Sequence, residues 1–156
     1  MPTLLWFRRD LRLRDLPPLL SAASDGDDVL ACFVLDPRLE ASSGRRRLQF
    51  LSDSLRELRD QLDGRLHVTR GRPEDRIPKI VKDIGASAVH VSEDFTPYGR
   101  RRDQRVRDAL GDVPLEANRI AIPGVARPCH QGRRCAVQGV HAVLPPLARN
   151  GLARSG

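Results

Sequence analysis

The sequence has few aromatic residues and lacks any long hydrophobic run. One Trp, one Tyr and four Phe make up 4% of its 156 residues, so we expect a mostly aliphatic core. No apolar stretch approaches the roughly 18 residues of a membrane-spanning helix. Met1 leads directly into a strand-like segment, without the pattern of a secretory signal. We therefore expect a cytoplasmic protein that has no membrane partner.

Cysteine is also scarce, since the chain holds only three. An odd number of widely spaced cysteines does not indicate a disulfide framework. Two of them, Cys129 and Cys135, lie close to His130 and His141, which raises the question of a zinc site. The spacing lacks the C-x2-C and H-x3–5-H pairs of common zinc sites, and the adjacent Cys129 and His130 would be strained as ligands of one ion. We therefore predict no metal site.

Acidic residues are missing from the last part of the chain. The net charge is +7 and the pI is about 10.5. All 20 Asp and Glu lie at or before Glu116, whereas the last 39 residues hold six Arg, no acid and no Phe, Trp or Tyr. Residues 1–117 are consequently almost neutral. This break in composition predicts a folded domain at 2–117 and a basic tail at 118–156, which we expect to be disordered.

Hydrophobic periodicity in the first part alternates between two patterns. Short apolar runs predict five strands, at 3–7, 29–36, 66–70, 88–92 and 113–117. Apolar residues at three- and four-residue steps predict helices, at 48–62, 73–85 and 100–111. Repeated strand–helix alternation predicts the α/β class, with a five-stranded parallel, Rossmann-like sheet and helices on both of its faces.

Ligands of such sheets bind where the carboxyl ends of the strands meet the following loops. Those loops lie at 8–12, 36–47 and 93–103, and none is a G-x-G-x-x-G or a phosphate-binding loop. They contain many arginines that could hold an anionic ligand, at positions 8, 9, 12, 45–47 and 100–102. The alternative is that most of these arginines are solvated helix ends, with Asp10, Asp15, Asp94 and Asp103 as their partners.

Several of these segments resemble the amino-terminal α/β domain of the DNA photolyase/cryptochrome family. The stretch "LLWFRRDLRLRDLPPLLSA" resembles the opening strand and loop of the family, and "VHVSEDFTPYGRRRDQRV" its fourth strand and the P-Y-G-R-x-R-D loop. The weaker matches are "FVLDPRL", "RRRLQFLSDSLRELRDQL" and "LHVTRGRPEDRIPKI". The resemblance covers residues 2 to about 117.

The resemblance implies a domain that binds a light-harvesting antenna chromophore. Carried over residue by residue, a deazaflavin-type pocket falls on Arg9, Phe33, Arg47 and Asp94. A folate antenna is disfavoured, because Tyr98 and Gly99 stand where the folate-binding pattern has Asn-Glu. The sequence also departs from the family at Thr96, where the family has an acid, and at Leu16, where it has Asn.

In the family, FAD and the DNA lesion are bound by a helical domain for which this sequence has no counterpart. The resemblance therefore implies an amino-terminal fragment of a DNA photolyase, an enzyme that repairs cyclobutane pyrimidine dimers with light, and predicts that this chain is inactive as it stands. Two alternatives remain open. One is a stand-alone module that binds a flavin-like or nucleotide ligand. The other is a basic nucleic-acid-binding protein that uses residues 45–47 and 100–102.

The tail resembles the family only after a change of reading frame. Codons can be chosen for residues 129–144 that, shifted by one nucleotide, encode VTKDDGAPYKVFTPF, which matches the family segment expected there. The same regrouping extends to both sides. We therefore predict a one-nucleotide insertion near the junction of Ala117 and Asn118. In that case Cys129, His130, Cys135 and His141 arise from the frame and have no chemical role.

Overall fold

The structure is a computed structural model that describes residues 1–25 and 28–118. The five strands are β1 (Thr3–Phe7), β2 (Val29–Leu35), β3 (Leu66–Arg70), β4 (Val89–Ser92) and β5 (Leu115–Asn118). The five helices are α1 (Pro17–Asp25), α2 (Pro37–Ala41), α3 (Arg45–Gln61), α4 (Pro73–Ile84) and α5 (Pro97–Leu110). Within this part of the chain, no helix has the length and apolar character needed to cross a membrane.

The strands form one parallel sheet in the order β3-β2-β1-β4-β5. The predicted fold class, with five parallel strands and helices on both faces, is confirmed. Strand β1 lies at the centre, where Thr3–Phe7 pair with Val29–Phe33 on one side, and Leu4–Trp6 with Val89–Val91 on the other. Central parallel strands are covered on both faces, which explains their continuous apolar sequences.

Alternate residues of β1 enter two separate cores. Leu4 and Trp6 pack with residues of α4 and α5, including Ile77 and Val106, on one face of the sheet. Leu5 and Phe7 pack with residues of α1 and α3 on the other face. This alternation follows from the two-residue repeat of a strand. We call the two sides the α4/α5 face and the α1/α3 face.

The predicted apolar stripe of α3 is only partly covered. Leu58 and Leu62 are buried, while Leu51 and Leu55 are partly buried against the same core. Phe50, one turn before Ser54, is 74% exposed. The amino-terminal half of α3 therefore leaves apolar surface open beside the carboxyl ends of the strands.

The order of the strands changes direction at β1, because β2 and β3 lie on one side of β1 and β4 and β5 lie on the other. Helix α1 leaves the end of β1 on one face, and α5 leaves the end of β4 on the opposite face. The loops that follow these two neighbouring strands thus lead to opposite faces, at the strand ends where open α/β sheets usually bind ligands. The predictions made for residues 119–156, including the disordered tail and the absence of a metal site there, lie outside the described residues.

Candidate functional site

Four charged side chains, two of each sign, pair with each other near the ends of β1 and β4. We call Arg8, Asp94, Arg102 and Asp103 the buried ionic cluster. Arg8 donates to Asp103 Oδ1 at 2.6 Å. Arg102 donates to the same oxygen from Nε and from a terminal nitrogen, each at 3.1 Å, and to Asp94 Oδ2 at 3.2 Å. The four side chains are at most 10% exposed. Two cations and two anions therefore neutralise each other where they have little contact with water.

The indole ring of Trp6 supports this cluster from the core. The guanidinium carbon of Arg8 lies 5.0 Å from the ring centroid of Trp6, and that of Arg102 lies 5.2 Å away. Both distances are within the range of cation–π attraction. Arg8 also donates to the backbone carbonyl of Ser92 at the end of β4. The cluster thus ties β1, β4 and α5 together.

Asp94 is fixed by the start of helix α5. Its Oδ1 accepts from the backbone nitrogen of Thr96 at 3.0 Å and from the Thr96 hydroxyl at 2.8 Å, while Thr96 Oγ1 caps Gly99 N. Burial by itself would raise the pKa of Asp94. The hydrogen bonds from Thr96, together with the charges of Arg9 and Arg8, outweigh that effect and lower its pKa. Asp94 is therefore a carboxylate at neutral pH.

The position of the Asp94 carboxylate explains why residue 99, in the P-Y-G-R sequence, is a glycine. A Cβ atom on Gly99 would lie 2.1 Å from Asp94 Cγ, which is far inside van der Waals contact. Only glycine lets helix α5 pass this close to Asp94. Tyr98, the neighbouring residue, donates its hydroxyl to Asp36 Oδ2 at the end of β2. These contacts join α5 to a third strand end.

A cleft opens beside this cluster between the β1–α1 loop and helix α3, and we call it the edge cleft. Its volume is about 570 Å³. The loop contributes Arg9 and Arg12, and the helix contributes Phe50, Ser54 and Glu57. The cleft therefore combines cations, an exposed aromatic ring and polar side chains along one helix face, at the position where such folds bind ligands.

The structure brings only some of the predicted site residues to this cleft. Arg9 is exposed and lines it, and its charge acts on Asp94. Arg47 is exposed in the first turn of α3, one turn before Phe50, but is not among the lining residues. Phe33 is 6% exposed within the core of the α1/α3 face, beside Phe7 in the sheet. The assignment of these four residues to a chromophore stays a prediction.

Sequence reasoning missed Phe50 and Glu57 as cleft residues. Both belong to α3, where the sequence had predicted a helix with an apolar stripe. Phe50 lies off that stripe and, as a large exposed aromatic residue, was the available signal. The basic surface predicted at residues 100–102 also changes, because Arg102 is buried and paired. Arg100 and Arg101 remain exposed.

The chain is similar in sequence to photolyases and cryptochromes. The family described as DNA photolyase matches residues 3–121. A deoxyribodipyrimidine photo-lyase of Thermus thermophilus is 44% identical over 116 residues, which are 73% of this chain and 27% of that protein. Cryptochrome-2 of Gallus gallus is 38% identical over 116 residues, 71% of this chain and 20% of that protein.

Solved structures give the same result. A cryptochrome of Synechocystis sp. superposes with a TM-score of 0.70 at 31% identity, over 75% of this chain and 27% of that one. An archaeal photolyase from Sulfolobus tokodaii, described with two FAD molecules, gives 0.70 at 31% identity, over 76% of this chain and 29% of that one.

The fold defines an α/β domain of the open, parallel-sheet class. The chain belongs to the DNA photolyase/cryptochrome family, and its described residues have the fold of the amino-terminal α/β domain of that family. The chain spans about a quarter of the length of the photo-lyases it matches.

Proposed function

We propose that the folded domain is the antenna domain of a light-driven DNA repair enzyme, a DNA photolyase, and that the edge cleft receives the antenna chromophore. The observation that carries the proposal is the cleft itself. Its volume of about 570 Å³ falls in the range of small-molecule sites, roughly 300–1,000 Å³. It lies between the loop that follows β1 and helix α3, in a chain that is 44% identical to a photo-lyase over 116 residues.

A flavin-like chromophore fits the chemistry of the cleft. The exposed ring of Phe50 offers a face on which a planar ring system can stack. Arg9 can donate to a ring carbonyl or a phosphate, and Ser54 and Glu57 supply further polar contacts along α3. The Sulfolobus tokodaii photolyase is described with two FAD molecules and a novel light-harvesting cofactor, which supports a flavin-type ring. Of the flavin-like pigments we propose a deazaflavin, and we do not expect folate.

Retention of pigment by the purified chain tests this proposal. The chain is mixed separately with 8-hydroxy-5-deazaflavin, FAD and folate, and the absorbance that remains with the protein after gel filtration is measured. We expect deazaflavin to be retained and folate to be lost. Arg9→Gln should weaken retention at least about tenfold, because one charge-assisted hydrogen bond contributes roughly 1.5–3 kcal/mol. Arg14→Gln is the matched control, since Arg14 is exposed in the same loop but does not line the cleft.

The outcomes separate the alternatives. Equal retention of FAD and deazaflavin would favour a general flavin-binding module over a dedicated antenna domain. Loss of all three pigments, with normal folding, would refute a chromophore site in this chain. We propose that DNA repair itself needs the FAD-holding part of the longer family members. The chain should accordingly leave a thymine-dimer oligonucleotide unchanged under near-ultraviolet light.

We also propose that the reading frame changes near Ala117 and Asn118. The family match ends at residue 121, close to the boundary predicted from composition, which supports a change of sequence type there. Sequencing of the gene through codon 118 and beyond tests this. We expect one frame to encode residues 1–117 and the frame shifted by one nucleotide to continue the family sequence into a helical FAD domain. A shifted frame that stops within a few codons would refute the proposal.

A further inference from the structure

Ser92 lies at the end of β4, beside the loop that supplies Arg9, Asp10 and Arg12 to the edge cleft. It is 8% exposed and is not among the residues that line the cleft. Its hydroxyl donates to Asp10 Oδ2, and its backbone carbonyl accepts from the guanidinium of Arg8. One buried residue of β4 therefore holds the loop at two positions, one on each side of Arg9.

The hydrogen bond from Ser92 determines where the carboxylate of Asp10 is engaged. Arg9 precedes Asp10 in the sequence, and the backbone nitrogen of Arg12 donates to the Asp10 carbonyl at 2.9 Å, so two cations lie close by. An arginine and a nearby carboxylate readily form charge-assisted hydrogen bonds. Within the described part of the chain, however, neither Arg9 nor Arg12 forms an ion pair with a carboxylate. The Asp10 carboxylate, predicted from the sequence as an arginine partner, is bonded to Ser92 instead.

Loss of the Ser92 hydroxyl would release that carboxylate into the cleft. Asp10 itself lines the cleft together with Arg9 and Arg12, so its released oxygens would lie among the N–H donors of these arginines. An exposed ion pair of this kind is weak. It would nevertheless occupy donors that the acceptor atoms of a ligand need. Ser92 thus influences the chemistry of the cleft from outside its lining.

We propose that Ser92 is a positioning residue of the edge cleft, and that by holding Asp10 it keeps Arg9 and Arg12 available to a ligand. The ligand it serves is a planar pigment that carries carbonyl or anionic groups, because guanidinium groups bind such acceptors. In its choice of ligand this inference rests on the chromophore site proposed above. In its mechanism it rests on the Ser92–Asp10 hydrogen bond.

The side-chain Nε–Hε NMR signals of Arg9 and Arg12 test the mechanism on the full chain without pigment. The signals are assigned with Arg9→Gln and Arg12→Gln. We expect Ser92→Ala to shift at least one of them, because the Asp10 carboxylate then pairs with that arginine. Ser92→Thr keeps the hydroxyl and adds a β-branched side chain that suits a strand, so it should retain the wild-type signals.

Ser21→Ala is the matched control. Ser21 also connects two elements through its hydroxyl, since it donates from α1 to Asn118 Oδ1 of β5 at 3.1 Å, and it does not line the edge cleft. Its replacement should leave the signals of both arginines in place. Thermal melts of all the variants verify that they fold.

Titration with 8-hydroxy-5-deazaflavin tests the effect on the ligand. Ser92→Ala should weaken binding about threefold, which is the effect of one exposed ion pair that competes for a cation. Asp10→Asn combined with Ser92→Ala removes the competing charge and should recover most of the lost affinity. A second substitution in the same loop would not repair a cleft that had merely lost its structure.

The outcomes distinguish this inference from the chromophore proposal. Unchanged arginine signals in Ser92→Ala would overturn the positioning role, whether or not pigment binds. Equal loss of affinity in Ser92→Ala and in the double variant would also overturn it, because a loosened loop and not a released charge would be the cause. If the wild-type chain takes up no pigment while the arginine signals respond, the chromophore site is refuted and Ser92 still controls the arginines of the cleft.

Discussion

Strand β4 contributes buried polar side chains to two places, which differ in whether those side chains have hydrogen-bond partners. At its carboxyl end, Ser92 and the following loop join the buried ionic cluster, where each charged side chain has a partner of opposite sign. At its centre, His90 is also buried, but neither of its ring nitrogens makes a hydrogen bond. The comparison shows that burial of polar side chains does not by itself indicate a binding site. Whether the buried groups pair with each other is the more informative observation.

The buried ionic cluster stabilises the fold and also positions part of the edge cleft. Its hydrogen bonds hold the β1–α1 loop against the start of α5 through Arg8, and they hold Asp94 as an anion. Arg9 follows Arg8 directly, so the position of the cleft's cation depends on the cluster beneath it. His90 makes no hydrogen bond that ties elements together, and its nearest charged neighbour is Asp25, whose Oδ2 lies 3.4 Å from Nε2.

Removal of one cation from the buried ionic cluster should give the largest effect. Arg102→Ala removes the donor of Asp94 Oδ2 and one of the two arginine partners of Asp103 Oδ1, in a site where the side chains are at most 10% exposed. Loss of one member of a buried ion pair costs about 3–5 kcal/mol. We expect the free energy of unfolding to fall by that amount, as measured by urea denaturation followed through Trp6, the only tryptophan in the chain.

Arg101→Ala is the matched control, because Arg101 is the neighbouring exposed arginine on the same helix. A surface substitution of this kind changes stability by no more than about 0.5 kcal/mol. If both variants lose the same small amount, Arg102 does not act through the cluster and the contrast with His90 fails.

Crowding at Asp94 should give the next largest effect. Gly99→Ala places a methyl group where Asp94 Cγ lies 2.1 Å away, so the carboxylate or helix α5 must move. Overpacking of this kind costs about 1–3 kcal/mol. Gly44→Ala is the control, because a Cβ there meets nothing within 4 Å and Gly44 has a negative φ of −71°. Thermal unfolding should separate the two variants, and equal melting temperatures would contradict close packing at Gly99.

The strands were predictable because their burial on both faces gives continuous apolar runs, and all five were located from those runs. Helix α4 was also predictable, since Ile77, Ile80 and Val81 face the core as the spacing required. Helices α1 and α2 were missed: they are short, begin with proline, and α2 has no buried residue. Their positions follow from the sheet they flank more than from their own periodicity.

The roles of the arginines were harder to predict. Arg100, Arg101 and Arg102 are adjacent in sequence, yet only Arg102 turns into the protein, and this depends on Trp6, Asp94 and Asp103 at distant chain positions. Phe33 was assigned to a pocket by resemblance, and that assignment stays a prediction; its side chain packs in the core of the α1/α3 face. His90 stood between apolar residues within a predicted strand, and this was an available signal for a buried imidazole.

Loss of the Tyr98 hydroxyl, beside the buried ionic cluster, should have a moderate effect on stability. Burial and the hydrogen bond to Asp36 raise the pKa of Tyr98 to about 12. Tyr98 is the only tyrosine, so the absorbance of tyrosinate reports it directly. We expect a midpoint near 12 in the folded chain, against about 10 in denaturant. Because the folded pKa is the higher one, this contribution to stability is complete below about pH 10 and is lost as the pH rises through the folded pKa.

Tyr98→Phe removes that hydrogen bond and should lower the free energy of unfolding by about 1 kcal/mol at neutral pH. Its control is Phe95→Leu, since Phe95 is 59% exposed in the adjoining loop and makes no such bond. A folded-state midpoint near that of the denatured chain would show that the Tyr98–Asp36 contact is absent in solution.

Replacement of the unpaired imidazole should have the smallest effect at neutral pH, and it tests the contrast most directly. His90→Leu removes buried polar atoms that make no hydrogen bond, so the loss expected from a buried polar residue should not occur. We expect the free energy of unfolding to change by no more than about 1 kcal/mol at pH 7, in either direction, since an apolar replacement leaves no unsatisfied group behind.

Burial lowers the pKa of His90 in the folded chain, so the unfolded chain binds more protons below about pH 6.5. The wild-type chain should therefore lose stability as the pH falls below that value, and the leucine variant should lose less. Urea denaturation at pH 7 and at pH 5 measures both quantities. A large loss for the variant at pH 7 would mean that His90 is paired in solution, and the distinction between the two buried groups of β4 would then no longer hold.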